Sequence, residues 1–135
     1  MIKNNVLCII PARGGSKGCP NKHLHMLDGK PVIQHTIFHA TQSEIIKDIA
    51  VSSDSATIIT SAISWMDGIY AIKRPQQFAT DESPIQHALI HAVDYMEHLL
   101  KKKYEIIVWL QADAPFRKKG TIDCCIKLLL NCKEA

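Results

Sequence analysis

Apolar and polar residues alternate along this chain in blocks that predict strands and helices in turn. Short, nearly continuous apolar runs are typical of buried strands, and apolar residues three or four positions apart are typical of helices. The predicted strands are residues 6–10, 49–51, 69–72 and 105–110. The predicted helices are residues 31–42, 55–66 and 84–101, with a last one from about residue 119. Repeated strand–helix units imply a single α/β domain over residues 1–135, with a three-layer αβα, Rossmann-like architecture and a mainly parallel sheet.

The segment 84–101 carries the clearest helical pattern. Ser83 is the expected N-cap, Pro84 takes the first helical position, and Gln86 completes a capping box. The apolar face comprises Ile85, Ala88, Leu89, Ala92, Val93, Met96 and Leu100. The opposite side is expected to be solvated rather than to bind zinc, and it carries His87, His91, Asp94 and His98.

Composition and charge limit the possible partners. Of 135 residues, 47% are hydrophobic and 21% are charged, which is ordinary for a soluble globular protein. The net charge of +3 suits a small polyanionic ligand and is too low to indicate nucleic acid. The lysines at 101–103 are interpreted as the solvated end of a helix. No apolar run approaches a membrane span, and the five cysteines show neither metal spacing nor a disulfide framework, so a cytoplasmic location is expected.

A glycine-rich loop follows the first strand and is the strongest candidate site. Residues 9–22 read I-I-P-A-R-G-G-S-K-G-C-P-N-K. Glycines let the backbone approach an anion closely, while Arg13, Lys17 and Lys22 supply positive charge. Because the loop fits neither the Walker A pattern nor the dinucleotide fingerprint, it predicts a phosphate-binding loop of a third kind. The residues of this loop that are expected to bind a nucleotide are Ala12, Arg13, Gly14, Gly15, Ser16, Lys17 and Lys22.

Polar residues at the ends of the other predicted strands are expected beside this loop, because ligands bind beyond the carboxyl ends of parallel strands. They are Ser53-Asp54, Arg74 and the segment from Gln111 to Arg117. Gln111 ends a buried strand, so its amide should need a partner such as a nucleotide or a sugar. Ser83 either caps its helix or contacts the nucleotide from a nearby loop.

The order of these motifs resembles the acylneuraminate cytidylyltransferases, the enzymes that activate sialic, legionaminic and pseudaminic acids. The resemblance covers nearly the whole chain, in the family's order and at similar spacing, and family members are usually longer. The chain is therefore expected to be the N-terminal part of a longer nucleotidyltransferase domain. The matching blocks are residues 11–22, Gly29-Lys30-Pro31, residues 51–54, Arg74-Pro75, Ala79-Thr80-Asp81 and residues 110–117.

The resemblance implies transfer of CMP from CTP to a nine-carbon 2-keto sugar acid, with release of pyrophosphate. By position, Arg13 and Lys22 are the catalytic residues that hold the triphosphate, and Lys22 stabilises charge at the α-phosphate. Arg74 and Gln111 are expected beside the nucleotide, and Ser83 in the same loop region. The resemblance also implies Mg²⁺, a homodimer in the full-length protein, and no nucleic-acid or membrane partner.

Two residues depart from the family pattern. His23 follows Lys22 where the family usually has Asn, and Asp113 replaces the usual Thr. Asp113 makes the block resemble the Asp-x-Pro of other sugar nucleotidyltransferases, in which the carboxylate binds Mg²⁺; its other interpretation is a turn residue. Two alternatives stay open: a nucleotidyltransferase for another base or sugar on the same fold, and a catalytically silent nucleotide-binding domain. The sequence does not identify the acceptor sugar.

Overall fold

Parallel strands form the centre of the fold, and helices cover both of their faces. The computed structural model describes residues 5–14, 26–65, 68–80, 83–111 and 120–131. The strands are β1 (Val6–Pro11), β2 (Met26–Leu27), β3 (Lys30–Pro31), β4 (Asp48–Ser53), β5 (Ile69–Lys73) and β6 (Ile106–Trp109). The helices are α1 (Val32–Thr41), α2 (Ala56–Trp65), α3 (Ile85–Leu100) and α4 (Thr121–Asn131), and a 3₁₀ turn spans Gln76–Phe78.

The order of strands across the sheet determines where a ligand crevice forms. The order is β5-β4-β1-β6, and every neighbouring pair is parallel. Cys8 of β1 pairs with Ile49 on one side and with Val108 on the other. From β1 the chain moves outward to β4 and β5, and it then returns through α3 to β6 on the opposite side. The winding direction therefore reverses between β1 and β6, which is where such sheets bind ligands.

Alternate residues of β1 face two different layers of helices. Cys8 and Ile10 pack in the cluster formed with α1 and α2, whereas Leu7 and Ile9 pack against Met96 of α3. Helix α4 packs beside β6, on the same side as α1 and α2. All of these β1 side chains are fully buried, so their alternation reflects two cores and no solvated face. The predicted three-layer αβα fold with a mainly parallel sheet is confirmed.

The starts of two helices differ from the predicted pattern. Pro31 and Pro84 occupy the N-caps of α1 and α3 rather than their first helical positions, and neither helix has a side-chain cap bond. Because Pro84 keeps an extended backbone, α3 begins one residue later, at Ile85. The Ser83 hydroxyl donates instead to the Gln77 carbonyl oxygen over 2.9 Å. The predicted Ser83 cap and its capping box are therefore wrong.

A short hairpin before α1 was not predicted. Strand β2 pairs with β3 in antiparallel fashion, and only Asp28 and Gly29 separate them. Both residues have positive φ, 53° and 79°, as a type I′ turn requires. The Asp-Gly dipeptide is the sequence signal that would have revealed this turn.

The amino end of the sheet is closed by a charged cluster that includes the lysines after α3. Lys102 Nζ lies 2.6 Å from Asp48 Oδ2, and the Tyr104 hydroxyl donates to the same oxygen over 2.6 Å. Lys101 ends α3 in a left-handed conformation. Interpreting residues 101–103 as a merely solvated helix end is thus wrong for Lys102, which is an ion-pair partner of β4.

Candidate functional site

The segments that follow β1 and β4 meet at the carboxyl edge of the sheet, as the element order predicted. The Ala12 N–H donates to the Ser52 carbonyl oxygen over 2.9 Å, and the Gly14 N–H donates to Asp54 Oδ1 over 2.9 Å. These bonds continue the contact between the strands past their ends. They fix the first residues of the glycine-rich loop against the end of β4.

Arg74 is buried at the same edge, with 4% of its surface exposed. Its Nη2 donates to the Ser52 carbonyl oxygen over 3.0 Å, its Nε to Ser52 Oγ over 3.3 Å, and its backbone N–H to the Ser53 carbonyl oxygen over 2.7 Å. Burial lowers the pKa of Arg74, the charge of Asp54 opposes this, and the charge of Arg13 lowers it further. Because a guanidinium stays protonated even so, Arg74 is a fixed, buried cation and not a solvated surface residue.

The carbonyl oxygen of Ser52 connects these two parts of the site. It accepts from both the Ala12 N–H and Arg74 Nη2, which uses the two lone pairs of one oxygen. A shift of Arg74 would therefore be transmitted to the start of the glycine-rich loop. From the sequence, Ser53-Asp54 were expected at this edge without a specific contact, and no contact was predicted for Ser52. The available signal was a polar run at the end of an apolar strand, in which Ser52 and Ser53 proved to be fully buried.

Arg13 supplies a second guanidinium at this edge. Its Nη1 lies 3.4 Å from the Ala79 carbonyl oxygen, and its positive charge acts on the pKa of Arg74. Asp54 is the carboxylate whose charge acts on Arg74 in the opposite direction. Among the residues that the structure describes, two arginines thus share this edge with one aspartate. The excess of positive charge favours an anionic ligand.

Gln111 follows the strand that pairs with the other side of β1. The Leu110 N–H donates to the Ile9 carbonyl oxygen over 3.1 Å, so the carboxyl ends of β6 and β1 lie side by side. The Gln111 residue itself is exposed and lies two residues beyond the end of β6 at Trp109, so the predicted strand end at residue 110 is one residue too late. A contact between Gln111 and the nucleotide stays a prediction.

The hydroxyl of Ser83 is occupied within its own loop. It donates to the Gln77 carbonyl oxygen, lies 2.6 Å from Thr80 Oγ1, and accepts from the Thr80 N–H over 3.2 Å. Because a hydroxyl has one proton and two lone pairs, these contacts use its full hydrogen-bonding capacity. A nucleotide contact by Ser83 stays a prediction, and it would require one of these bonds to break.

The remaining predicted site residues lie outside the described residues. They are Gly15, Ser16, Lys17, Lys22 and Asp113. Their roles in holding phosphate or metal stay predictions. Of the predicted site residues, the structure brings together Ala12, Arg13, Gly14 and Arg74, and Asp54, which was expected at the same edge, bonds to Gly14.

Fold and site together define a parallel α/β domain whose described cationic residues lie at the carboxyl ends of β1 and β5, on either side of the end of β4. The sequence profile of the cytidylyltransferase family matches residues 7–135, and the chain belongs to this family. It is 35% identical over 123 residues to the CMP-N,N'-diacetyllegionaminic acid synthase of Legionella pneumophila, covering 91% of this chain and 52% of that protein. It is also 35% identical over 127 residues to the N-acylneuraminate cytidylyltransferase of Escherichia coli, covering 94% of this chain and 29% of that protein.

A solved structure supports the fold. The chain superimposes on CMP:2-keto-3-deoxy-manno-octonic acid synthetase, determined in complex with CTP, with a TM-score of 0.77 at 21% identity. That match covers 97% of this chain and 49% of the other. The chain thus spans about half the length, or less, of the relatives that it matches. No helix among the described residues is long and apolar enough to cross a membrane.

Proposed function

We propose that this chain is the nucleotide-binding part of an enzyme that transfers CMP from CTP to a sialic-acid-like 2-keto sugar acid. The observation that carries the proposal is the cationic carboxyl edge of the sheet, where, among the described residues, Arg13 and buried Arg74 outnumber Asp54. A triphosphate is the part of CTP that needs such charge. Membership of the cytidylyltransferase family supports CTP as the nucleotide.

In the proposed reaction the anomeric hydroxyl oxygen of the sugar acid attacks the α-phosphorus in line. A bond forms between the sugar oxygen and the α-phosphorus, the bond from that phosphorus to the bridging oxygen of the β-phosphate breaks, pyrophosphate leaves, and the hydroxyl proton passes to solvent. The protein mainly positions the reactants and neutralises charge in such a step. Arg13 and Lys17 would hold the triphosphate, and Lys22 would act on the charge that develops at the α-phosphate.

The acceptor class is proposed from the relatives. Two of them are named for legionaminic and acylneuraminic acids, both acidic nine-carbon sugars. The solved structure that superimposes on this chain is named for an eight-carbon 2-keto sugar acid, which is a second candidate acceptor. Both acceptors carry a carboxylate, so a cationic edge suits either.

We also propose Mg²⁺ as a cofactor, held by Asp113 together with phosphate oxygens. Mg²⁺ is typically bound by one or two carboxylates and by substrate phosphates, rather than by a cage of protein ligands. In the described part of the chain no three His, Cys, Asp or Glu side chains are grouped so that they could hold a metal ion. The ion would neutralise phosphate charge. Asp113→Asn should fold normally and need far more Mg²⁺ for half-maximal rate; an unchanged Mg²⁺ dependence would make Asp113 a turn residue.

A pyrophosphate-release assay tests the function. The full-length protein is incubated with CTP and with each of N-acetylneuraminic, legionaminic, pseudaminic and 3-deoxy-manno-octulosonic acids. Pyrophosphate release with one of the first three acids is the expected result. Release only with 3-deoxy-manno-octulosonic acid would make this eight-carbon acid the acceptor in place of a sialic-acid-like one. A calorimetric titration that shows no preference for CTP over GTP or ATP would contradict the cytidylyltransferase proposal. Preferential CTP binding without turnover on any acid would favour a silent nucleotide-binding domain.

A further inference from the structure

The 3₁₀ turn between β5 and α3 contacts both arginines of the site through its backbone. Arg74 Nη1 lies 3.5 Å from the Phe78 carbonyl oxygen, and Arg13 Nη1 lies 3.4 Å from the Ala79 carbonyl oxygen. The carbonyl groups of two successive residues therefore face two guanidinium groups, one from the segment after β5 and one from the segment after β1. Both contacts are long for hydrogen bonds, so a small displacement of the turn would abolish them.

Helix α3 holds this turn by ring packing. The Phe78 ring meets the His87 ring edge-on, with centroids 5.8 Å apart at 70°, and it meets the His91 ring at 5.9 Å and 53°. Because His87 and His91 are four residues apart, they lie on the same side of α3, and both rings pack against Phe78. From the sequence, both histidines were predicted to lie on a solvated side of the helix. That interpretation is wrong for His91, which is only partly exposed because Phe78 covers it.

The His91 ring acts through its shape rather than through a hydrogen bond. Its Nδ1 is buried, and it has no hydrogen-bond partner in the part of the chain that the structure describes. A buried polar atom without a partner reduces stability. An apolar ring of similar size should therefore pack against Phe78 at least as well as the imidazole does.

We propose that His87 and His91 are positioning residues that hold Arg13 and Arg74 in place for the nucleotide phosphates, acting through Phe78. The proposal rests on the proposed function and names a further part of that same site. Neither histidine has to touch the ligand. Their contribution is to fix the Phe78 and Ala79 carbonyl groups, which in turn restrict the two guanidinium groups.

The first test is a calorimetric titration of the full chain with CTP. His91→Ala should weaken CTP binding by about three- to thirtyfold, the range of couplings transmitted through packed side chains. His91→Phe should restore binding to within about twofold of the original protein, because it keeps the ring. His98→Ala is the matched control: this histidine is exposed on the same helix, with Nδ1 2.8 Å from the Asp94 carbonyl oxygen. It should bind CTP as the original protein does.

Two outcomes of the titration would overturn the proposal. Unchanged CTP binding in both His91→Ala and Phe78→Ala would show that the turn does not position the arginines. Equal weakening in His91→Phe and His91→Ala would show that the imidazole nitrogens matter, and His91 would then act by hydrogen bonding. Circular dichroism and the amide exchange of β1 separate either result from unfolding.

A second measurement does not depend on CTP. In ¹⁵N spectra of the full chain, the Arg74 Nε–H, which donates to Ser52 Oγ, should exchange slowly with solvent because it is buried. Its exchange should accelerate in His91→Ala and keep the original rate in His91→Phe and His98→Ala. If the original protein does not prefer CTP, the proposed function is wrong. The exchange rate of the Arg74 Nε–H would still show whether His91 positions Arg74. An Arg74 Nε–H rate that is the same in all variants would overturn the positioning itself.

Discussion

At its amino end, β4 places Asp48 against Lys102 and Tyr104, whereas at its carboxyl end it places Ser52 and Asp54 near two arginines. At the amino end one carboxylate meets one ammonium group directly, at 2.6 Å, and the charges are matched. At the carboxyl end Arg74 donates mainly to uncharged oxygens. Burial lowers its pKa, the negative charge of Asp54 raises it, and the positive charge of Arg13 lowers it.

The two ends of β4 therefore use charge differently: the amino end holds a direct ion pair, and the carboxyl end holds a buried guanidinium whose described hydrogen bonds all go to uncharged oxygens. In an ion pair such as Lys102 with Asp48, each charge already has a partner of opposite sign, so the pair contributes to the stability of the fold. A buried cation that is hydrogen-bonded but not fully neutralised retains a potential for an anion. Substitutions at one end of β4, or in the loop beside it, test whether the other end responds.

The largest effect is expected at the glycine-rich loop. Lys22→Ala in the full-length protein should lower kcat by roughly 10²–10³, because one electrostatic contact to the reacting phosphate is lost. CTP affinity should change much less, since the charge is proposed to act mostly as the α-phosphate reacts. Steady-state kinetics with CTP and the accepted sugar acid measure both. Turnover close to that of the original protein would remove Lys22 from the mechanism.

Arg74→Lys tests whether the carboxyl end needs a guanidinium rather than a charge alone. Lysine keeps the charge but cannot donate to Ser52 Oγ and the Ser52 carbonyl oxygen together. CTP affinity should fall about tenfold or more, and the free energy of unfolding should fall by about 1.5–3 kcal/mol. Calorimetry and urea denaturation measure the two effects.

Lys73→Met is the control for Arg74→Lys. Lys73 is exposed at the end of the same strand, so this change removes a positive charge without removing the bonds to Ser52. It should leave the stability almost unchanged. If it weakens CTP binding as much as Arg74→Lys does, the net charge of the edge matters and the guanidinium geometry does not.

The order of strands and helices could be predicted from the sequence because each element has its own apolar period. Alternate side chains of β1 pack against two different layers of helices, and the apolar face of α3 determines how this helix packs on the sheet. The edge at which the polar segments meet also followed, because parallel strands all end on one side. The positions of Arg13 and Arg74 at this edge were therefore within reach of sequence reasoning.

The contacts between distant polar groups could not be predicted in the same way. The bond from Gly14 to Asp54 spans 40 residues, and the rings of Phe78 and His91 meet only because the 3₁₀ turn folds back on α3. No local period encodes such pairs. Local rules also failed where proline altered a helix start, as at Pro84, because the chain satisfied Ser83 within a loop instead of at a cap.

At the amino end of β4, the two neighbouring lysines should differ in their contribution to stability. Lys102 is 32% exposed and pairs with Asp48, which is 12% exposed, whereas Lys103 is 88% exposed where it meets Glu97 at 3.4 Å. Lys102→Met should lower the free energy of unfolding by about 0.5–1 kcal/mol, and Lys103→Met should have almost no effect. Urea denaturation measures both. Neither change should affect CTP binding, and a loss of affinity in Lys102→Met would show that the two ends of β4 are coupled.

The smallest effect concerns the pH dependence of stability at the same cluster. Burial raises the pKa of Tyr104, and the hydrogen bond to Asp48 raises it further, so the folded protein keeps the phenol protonated to higher pH than the unfolded chain does. The unfolded phenol loses its proton near pH 10. The contribution of Tyr104 is therefore fully present below about pH 10 and is lost as the pH rises above that value. The difference in the free energy of unfolding between the original protein and Tyr104→Phe should be constant from pH 7 to 9. It should then shrink in alkaline solution, as measured by urea denaturation at each pH. A difference that stays constant through pH 11 would show that the hydroxyl proton is not held by Asp48, and the amino end would then depend on the Lys102 ion pair alone.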